Sequence, residues 1–226
     1  MDVKPFFPDP LTAGIFFFVL VGFLSVAAYI DTKTFRIPKW LTLPLLGTGI
    51  IVNVIRGAWM ASLDREVWVL GTGSMWLGAA DGLLFALWGA AAAFGIYFAM
   101  WLIGFVKGGD VKLVTAIGAW IGAFNILLFI VASGAVLVLW TIGRLFAGGF
   151  TPRDFARRRR QFEKMPDMKK GEIDKFARRG MTFSVPAAVA AALVMLWVFR
   201  YDLQLVDPKP TPHNGSAHAP IHVAYR

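Results

Sequence analysis

Long apolar runs separated by short polar loops organise this chain. The first run covers about 11–30 and stops at Asp31, the length of about 20 residues that an α-helix needs to cross a bilayer core. A polar loop follows at 31–39, with Pro38 suited to the first turn of the next helix. The second run, 40–55, is short and contains Pro44, which predicts a bent or tilted helix whose freed carbonyl is satisfied by neighbours, with Arg56 at the membrane exit. Residues 67–80 are apolar but rich in Gly, and as a helix they would reach only about 21 Å, so they are read as an interfacial or re-entrant segment. Trp59, Trp68 and Trp76 suit the headgroup level.

The third run, 82–103, is dense in Gly and Ala, which lets helix backbones approach closely in lipid. A fourth ends near Gly122, a fifth covers 124–142, and a last one covers 183–199. The expected fold is an all-α polytopic membrane protein with six transmembrane helices and one re-entrant or interfacial segment. Its expected division is a five-span core at 1–143, a basic cytoplasmic loop at 144–182, a sixth span at 183–199 and a disordered external tail at 200–226. The N-terminus shows no basic cluster and no small-residue cleavage site, so the first run reads as a retained span.

Composition strengthens the membrane reading. Of 226 residues, 57% are hydrophobic and 16% charged, against about 25% charged in an average soluble domain. The net charge of +9 would suggest nucleic acid, yet the cations gather beside apolar spans, where they fit cytoplasmic loops facing anionic lipid. Six spans put loops 31–39, 104–112 and 144–182 on one side with three, two and twelve basic residues, and leave six basic residues for the other. That count makes the first side cytoplasmic and places both termini outside the cytoplasm. The absence of cysteine excludes disulfides and Cys-based zinc or nucleophilic sites from this chain.

Ionisable residues near a bilayer are functional candidates. Asp31 closes the first span and Asp110 stands where Gly108-Gly109 joins the third span to the fourth, both on the cytoplasmic side. Two carboxylates at one level can share a proton, one taking a proton from water while the other donates to a carbonyl. Gly108 and Gly109 would permit unusual backbone angles and close approach of an extended substrate. The competing reading makes Asp31 a water-facing helix boundary and Gly-Gly-Asp a solvated turn. Asp81 lies about 33 Å away along the third helix and cannot join the pair.

The segment from Asp31 through Ile37-Pro38 to Leu41-Thr42 resembles the first motif of the type IV prepilin peptidases, and Gly108-Gly109-Asp110-Val111-Lys112-Leu113 is similar to their second, the GxGD motif. The resemblance implies catalytic Asp31 and Asp110, with Gly108, Gly109 and Lys112 shaping and supporting the substrate loop. It implies cleavage of a leader from a type IV pilin-like precursor at the cytoplasmic face of the inner membrane, without a cofactor. Lys107 replaces the usual first Gly and Lys39 a common Asn; a cation at 107 can instead hold the Asp110 carboxylate. Larger members add a methyltransferase region with a Cys-based zinc site. This chain looks like the compact peptidase-only form associated with tight-adherence (Flp) pili, with archaeal preflagellin peptidases similar in plan.

Other signals carry less. His213, His218 and His222 could bind a metal but lie in a Pro- and Gly-bearing tail, so no metal is assigned. The 144–182 loop lacks the aromatic interleaving of a nucleic-acid module, and anionic lipid is its expected partner. Gly71-x-Gly73 and Gly14 have no strand-turn-helix setting, so no nucleotide cofactor is assigned. A rhomboid-like serine protease would need a membrane histidine, and all three are in the tail. The remaining alternative is a noncatalytic polytopic protein for transport or pilus assembly, with the aspartates binding ions or a partner helix.

Overall fold

The computed structural model describes residues 5–34, 37–70, 73–146, 160 and 183–206. Among them every regular element is helical: α1 (Pro10–Thr34), α2 (Lys39–Ser62), α3 (Met75–Leu102), α4 (Gly108–Phe146) and α5 (Ser184–Val198). The first four are long and apolar enough to cross a membrane, and α5 is a shorter apolar helix of 15 residues. Large apolar side chains cover the outside, Phe124 and Trp76 being 85% exposed. A soluble domain would not leave so much continuous apolar surface to water.

Gly122 breaks α4, with φ 79° and ψ 169°, angles open to glycine and strained for other residues. Asp110 near the start of α4 and Thr141 near its end line one cavity, whereas an unbroken helix would hold them about 46 Å apart. The arms 108–121 and 123–146 therefore double back on one another, as the expected boundary between the fourth and fifth runs requires. The break strands carbonyls at the end of the first arm. Asn53 Nδ2 donates to the carbonyls of Ala119 (2.9 Å) and Trp120 (3.2 Å), and Asn125 Nδ2 to that of Ile121 (2.9 Å).

Small residues set the spacing of the bundle. A Cβ at Gly57 or Gly82 would collide with backbone across the α2–α3 contact, and one at Gly89 with the Gly118 carbonyl of α4, so these helices touch main chain to main chain. Pro44 lies inside α2, and the neighbouring Leu45 carbonyl accepts from Trp120 Nε1 at 2.8 Å.

Three elements differ from the expected boundaries. Helix α2 continues to Ser62 and carries Arg56 within it, 3% exposed, where an exit residue had been expected; its partners are described below. The 67–80 stretch is not one element. Residues 75–80 form the first turns of α3 behind the Ser74 cap, whose Oγ accepts from Leu77 N–H at 3.2 Å, and Trp68 and Val69 turn back onto Asp81. In the tail, 200–206 are folded against the N-terminal segment through Asp202. Residues 207–226, with the three histidines, and the 144–182 loop beyond Phe146, Arg160 apart, lie outside the described residues.

Candidate active site

One end of the bundle collects both sequence motifs. Asp31, near the end of α1, is 4% exposed and accepts a short hydrogen bond from the Ser184 hydroxyl, itself 1% exposed at the start of α5. Asp110, in the first turn of α4, is 7% exposed. Its Oδ2 accepts from the Lys107 N–H at 3.2 Å while its own N–H donates to the Lys107 carbonyl at 3.0 Å. That reciprocal arrangement secures the helix start as a capping box does. Asp110 is thus a helix-opening residue, as the competing reading supposed, but burial removes the solvation which that reading needed.

Gly109 sits over Ile37, so that an added Cβ would stand 3.7 Å from Ile37 Cβ. The Ile37-Pro38 turn and the Gly-Gly-Asp turn are therefore packed together, and Asp31 is close enough for its charge to act on Asp110, along with that of Lys107.

The supporting residues divide. Gly108 is exposed and Gly109 half-buried, and neither has a left-handed φ. Both are already helical in the first turn of α4, so what Gly109 provides is room against Ile37. The glycine of this loop with φ 79° is Gly104. Lys112 is exposed, and it is Lys107 that lines the cavity beside Asp110.

That cavity, about 780 Å³, opens between the end of α3 and the second arm of α4. Its walls are mainly apolar, with Tyr97, Ser133 and Thr141 as polar interruptions beside Lys107 and Asp110. Tyr97 lies beside Ser133 within reach of the Asp110 charge, and Ser133 donates to the Ile130 carbonyl at 2.9 Å. Sequence reasoning passed over Ser184, Tyr97 and Ser133. Their available signal was that of isolated polar groups in apolar helices.

Asp81 lies at the other end. It is fully buried, and its carboxylate accepts from Trp68 N–H (2.7 Å) and Val69 N–H (3.0 Å). Near it Arg56 donates from Nε to Asn53 Oδ1 and from Nη1 to the Phe6 carbonyl, both at 3.1 Å, and stacks 3.8 Å from the Phe6 ring centre. Arg56 also feels the charges of Asp81 and Asp202.

The profile of the type IV leader peptidase family matches residues 18–142. The chain belongs to that family. Among curated relatives it is 35% identical over 124 residues to a prepilin leader peptidase/N-methyltransferase of Pectobacterium carotovorum subsp. carotovorum, covering 54% of this chain and 39% of the relative. The protein of the same name from Escherichia coli (strain K12) is 33% identical over 125 residues, 53% of this chain and 45% of the relative. That from Neisseria gonorrhoeae is 31% identical over 137 residues, 58% and 43%. The chain thus spans less than half the length of these relatives. No solved structure matches it. The family match includes Asp31, Asp110, Tyr97 and Ser133 and ends before Ser184.

Proposed function

We propose that this chain is a membrane aspartyl endopeptidase that removes the leader of type IV pilin-like precursors, with Asp31 and Asp110 as its catalytic pair. The observation that supports the reading is that two buried carboxylates, one from each motif, lie close enough for one to act on the other, with Asp110 lining an apolar cavity. A carbonyl of the precursor placed between them is attacked by water. One carboxylate takes the proton of that water and the other, protonated, donates to the carbonyl oxygen. The cavity receives apolar residues flanking the cut, and the helix ends around it exclude bulk water.

The topology in this reading rests on charge, and the precursor type and the lack of methyl transfer rest on the family resemblance. Six crossings, counting the two arms of α4 separately, put the basic loops and the aspartate pair at the cytoplasmic face of the inner membrane and both termini outside. Anionic lipid neighbours the 144–182 loop, the precursor is of Flp type, and cleavage proceeds without methyl transfer or cofactor. Reporter fusions in 153–179 and at His213 test the topology: an external loop with a cytoplasmic tail overturns it.

Cleavage is tested by incubating the detergent-purified chain with a panel of pilin-like precursors and sequencing the new N-terminus. A product beginning immediately after the leader, absent with Asp31→Asn and Asp110→Asn, is the expected result. Intact precursors throughout, with a known peptidase active on the same panel, would return the protein to the noncatalytic transport or assembly reading.

A further inference from the structure

Asp31 occupies an electrically awkward place. It lies in the last turns of α1 (Pro10–Thr34), next to the end of a helix where unpaired carbonyls concentrate partial negative charge and a carboxylate is least welcome. It is also buried, so water does little to relieve this. Helix α5 supplies a donor to it. Ser184 is its first residue, and the Ser184 hydroxyl donates to Asp31 Oδ2. The start of α5 is thereby brought up to the same carboxylate.

Packing fixes the contact. Ala187, Ala190 and Ala191 of α5 are fully buried, and Phe199 beyond its other end makes edge-to-face contacts with Phe7, just ahead of α1, and Phe16 near its start. Helix α5 therefore runs antiparallel to α1 and is held at both ends, so Ser184 meets Asp31 in a defined position. The residue before it, Phe183, lines the cavity beside Asp110.

We infer that Ser184 is the positioning residue of Asp31: its hydroxyl holds one carboxylate oxygen in place so that the side chain meets substrate, water and Asp110 in a single orientation. This rests on the peptidase reading for its effect on turnover, while the hydrogen bond can be tested without it. The assignment gives α5, outside the region that matches the family, a direct part in the site.

The experiment compares Ser184→Ala and Ser184→Thr in full-length protein, with two readouts. In precursor cleavage, Ser184→Ala lowers kcat by about tenfold to a hundredfold, the scale of a slightly misplaced reacting group, and leaves KM within about twofold. Ser184→Thr, which keeps the hydroxyl, restores kcat to within about threefold of the parent. In the second readout a hydrophobic carbodiimide labels buried carboxyls and mass spectrometry scores each site. Loss of the donor raises labelling of Asp31 in Ser184→Ala and leaves Asp81 unchanged. Parent-like kcat together with parent-like labelling in Ser184→Ala overturns the inference, as does equal loss in both variants accompanied by a matching fall in thermal stability. Should the parent cleave no precursor, the peptidase reading fails and the labelling alone decides the role of Ser184.

Discussion

Both ends of this bundle bury carboxylates, and they treat them in opposite ways. At the far end Asp81 accepts two backbone N–H groups and lies in the field of Arg56. Asp202 accepts from the N–H groups of Phe6 (2.9 Å) and Phe7 (3.2 Å) near the same guanidinium. Charges there are opposite, and the donors pin loops to helices. At the near end Asp110 feels the cation of Lys107 and, more weakly, the second carboxylate Asp31, and it lines a cavity. Burial of charge alone therefore does not mark a reactive site. A second buried carboxylate within reach and adjoining space are what set the near end apart.

Substitution at the near end should give the largest effect. Asp31→Asn and Asp110→Asn keep side-chain size and remove the group that takes or gives a proton, so each lowers precursor cleavage by about 10³-fold or more, on the order of 4 kcal/mol in the barrier. Membrane abundance of both variants stays near that of the parent. Appreciable turnover in either variant would sink the pair.

Next in size is the turn that joins the two arms around the cavity. Gly122→Ala places a Cβ where φ is 79° and where the Phe85 ring already stands, which costs about 2–4 kcal/mol in strain and overpacking. Abundance and thermal stability fall, and cleavage falls with them in proportion to folded protein. A variant as stable as the parent would show that the arms do not need this turn.

Asp81→Asn sharpens the contrast between the ends. An amide retains one acceptor for Trp68 and Val69 but loses the charge near Arg56, so stability drops by about 1–3 kcal/mol while turnover per folded molecule is unchanged. Equal loss of turnover here and at Asp31 would erase the distinction between the two ends.

Much of the near end was legible because it is local in sequence. Asp31 to Ile37-Pro38 and Gly108-Gly109-Asp110 each fall within one turn and its flanks, and the break at Gly122 announced itself through the spacing of apolar runs. What could not be read depends on contacts between distant segments. Ser184 is 153 residues from Asp31, and nothing near it in sequence says which helix its hydroxyl will meet. Asn53 serves carbonyls 66 and 67 residues away that are stranded by the Gly122 break. Arg56 looked like a boundary because its neutralising partners, the Phe6 carbonyl, Asp81 and Asp202, come from three other segments. Local periodicity locates a span, while only tertiary pairing shows how far a charge can be carried inside it.

The smallest effect should come from Asp202→Asn, where the far end holds a carboxylate outside the spans. Burial pushes the Asp202 carboxyl above its ordinary range, outweighing the Phe7 and Phe6 N–H groups and Arg56, which all act to lower it. A group whose folded pKa is raised contributes its full stability below the ordinary carboxylate value and loses it as pH rises through the folded value. The neutral acceptor is thus the form this site favours. Asparagine keeps an oxygen for the Phe6 and Phe7 N–H groups and does not titrate, so at neutral pH the variant stays within about 0.5 kcal/mol of the parent. On acidification the parent gains protection of these two amides and the variant does not. Asp202→Ala, which removes the acceptor, loses about 1 kcal/mol at any pH. Hydrogen exchange of Phe6 and Phe7 against pH measures all three proteins, and parental protection that grows with rising pH would reverse the sign and make Asp202 a true charge partner of Arg56.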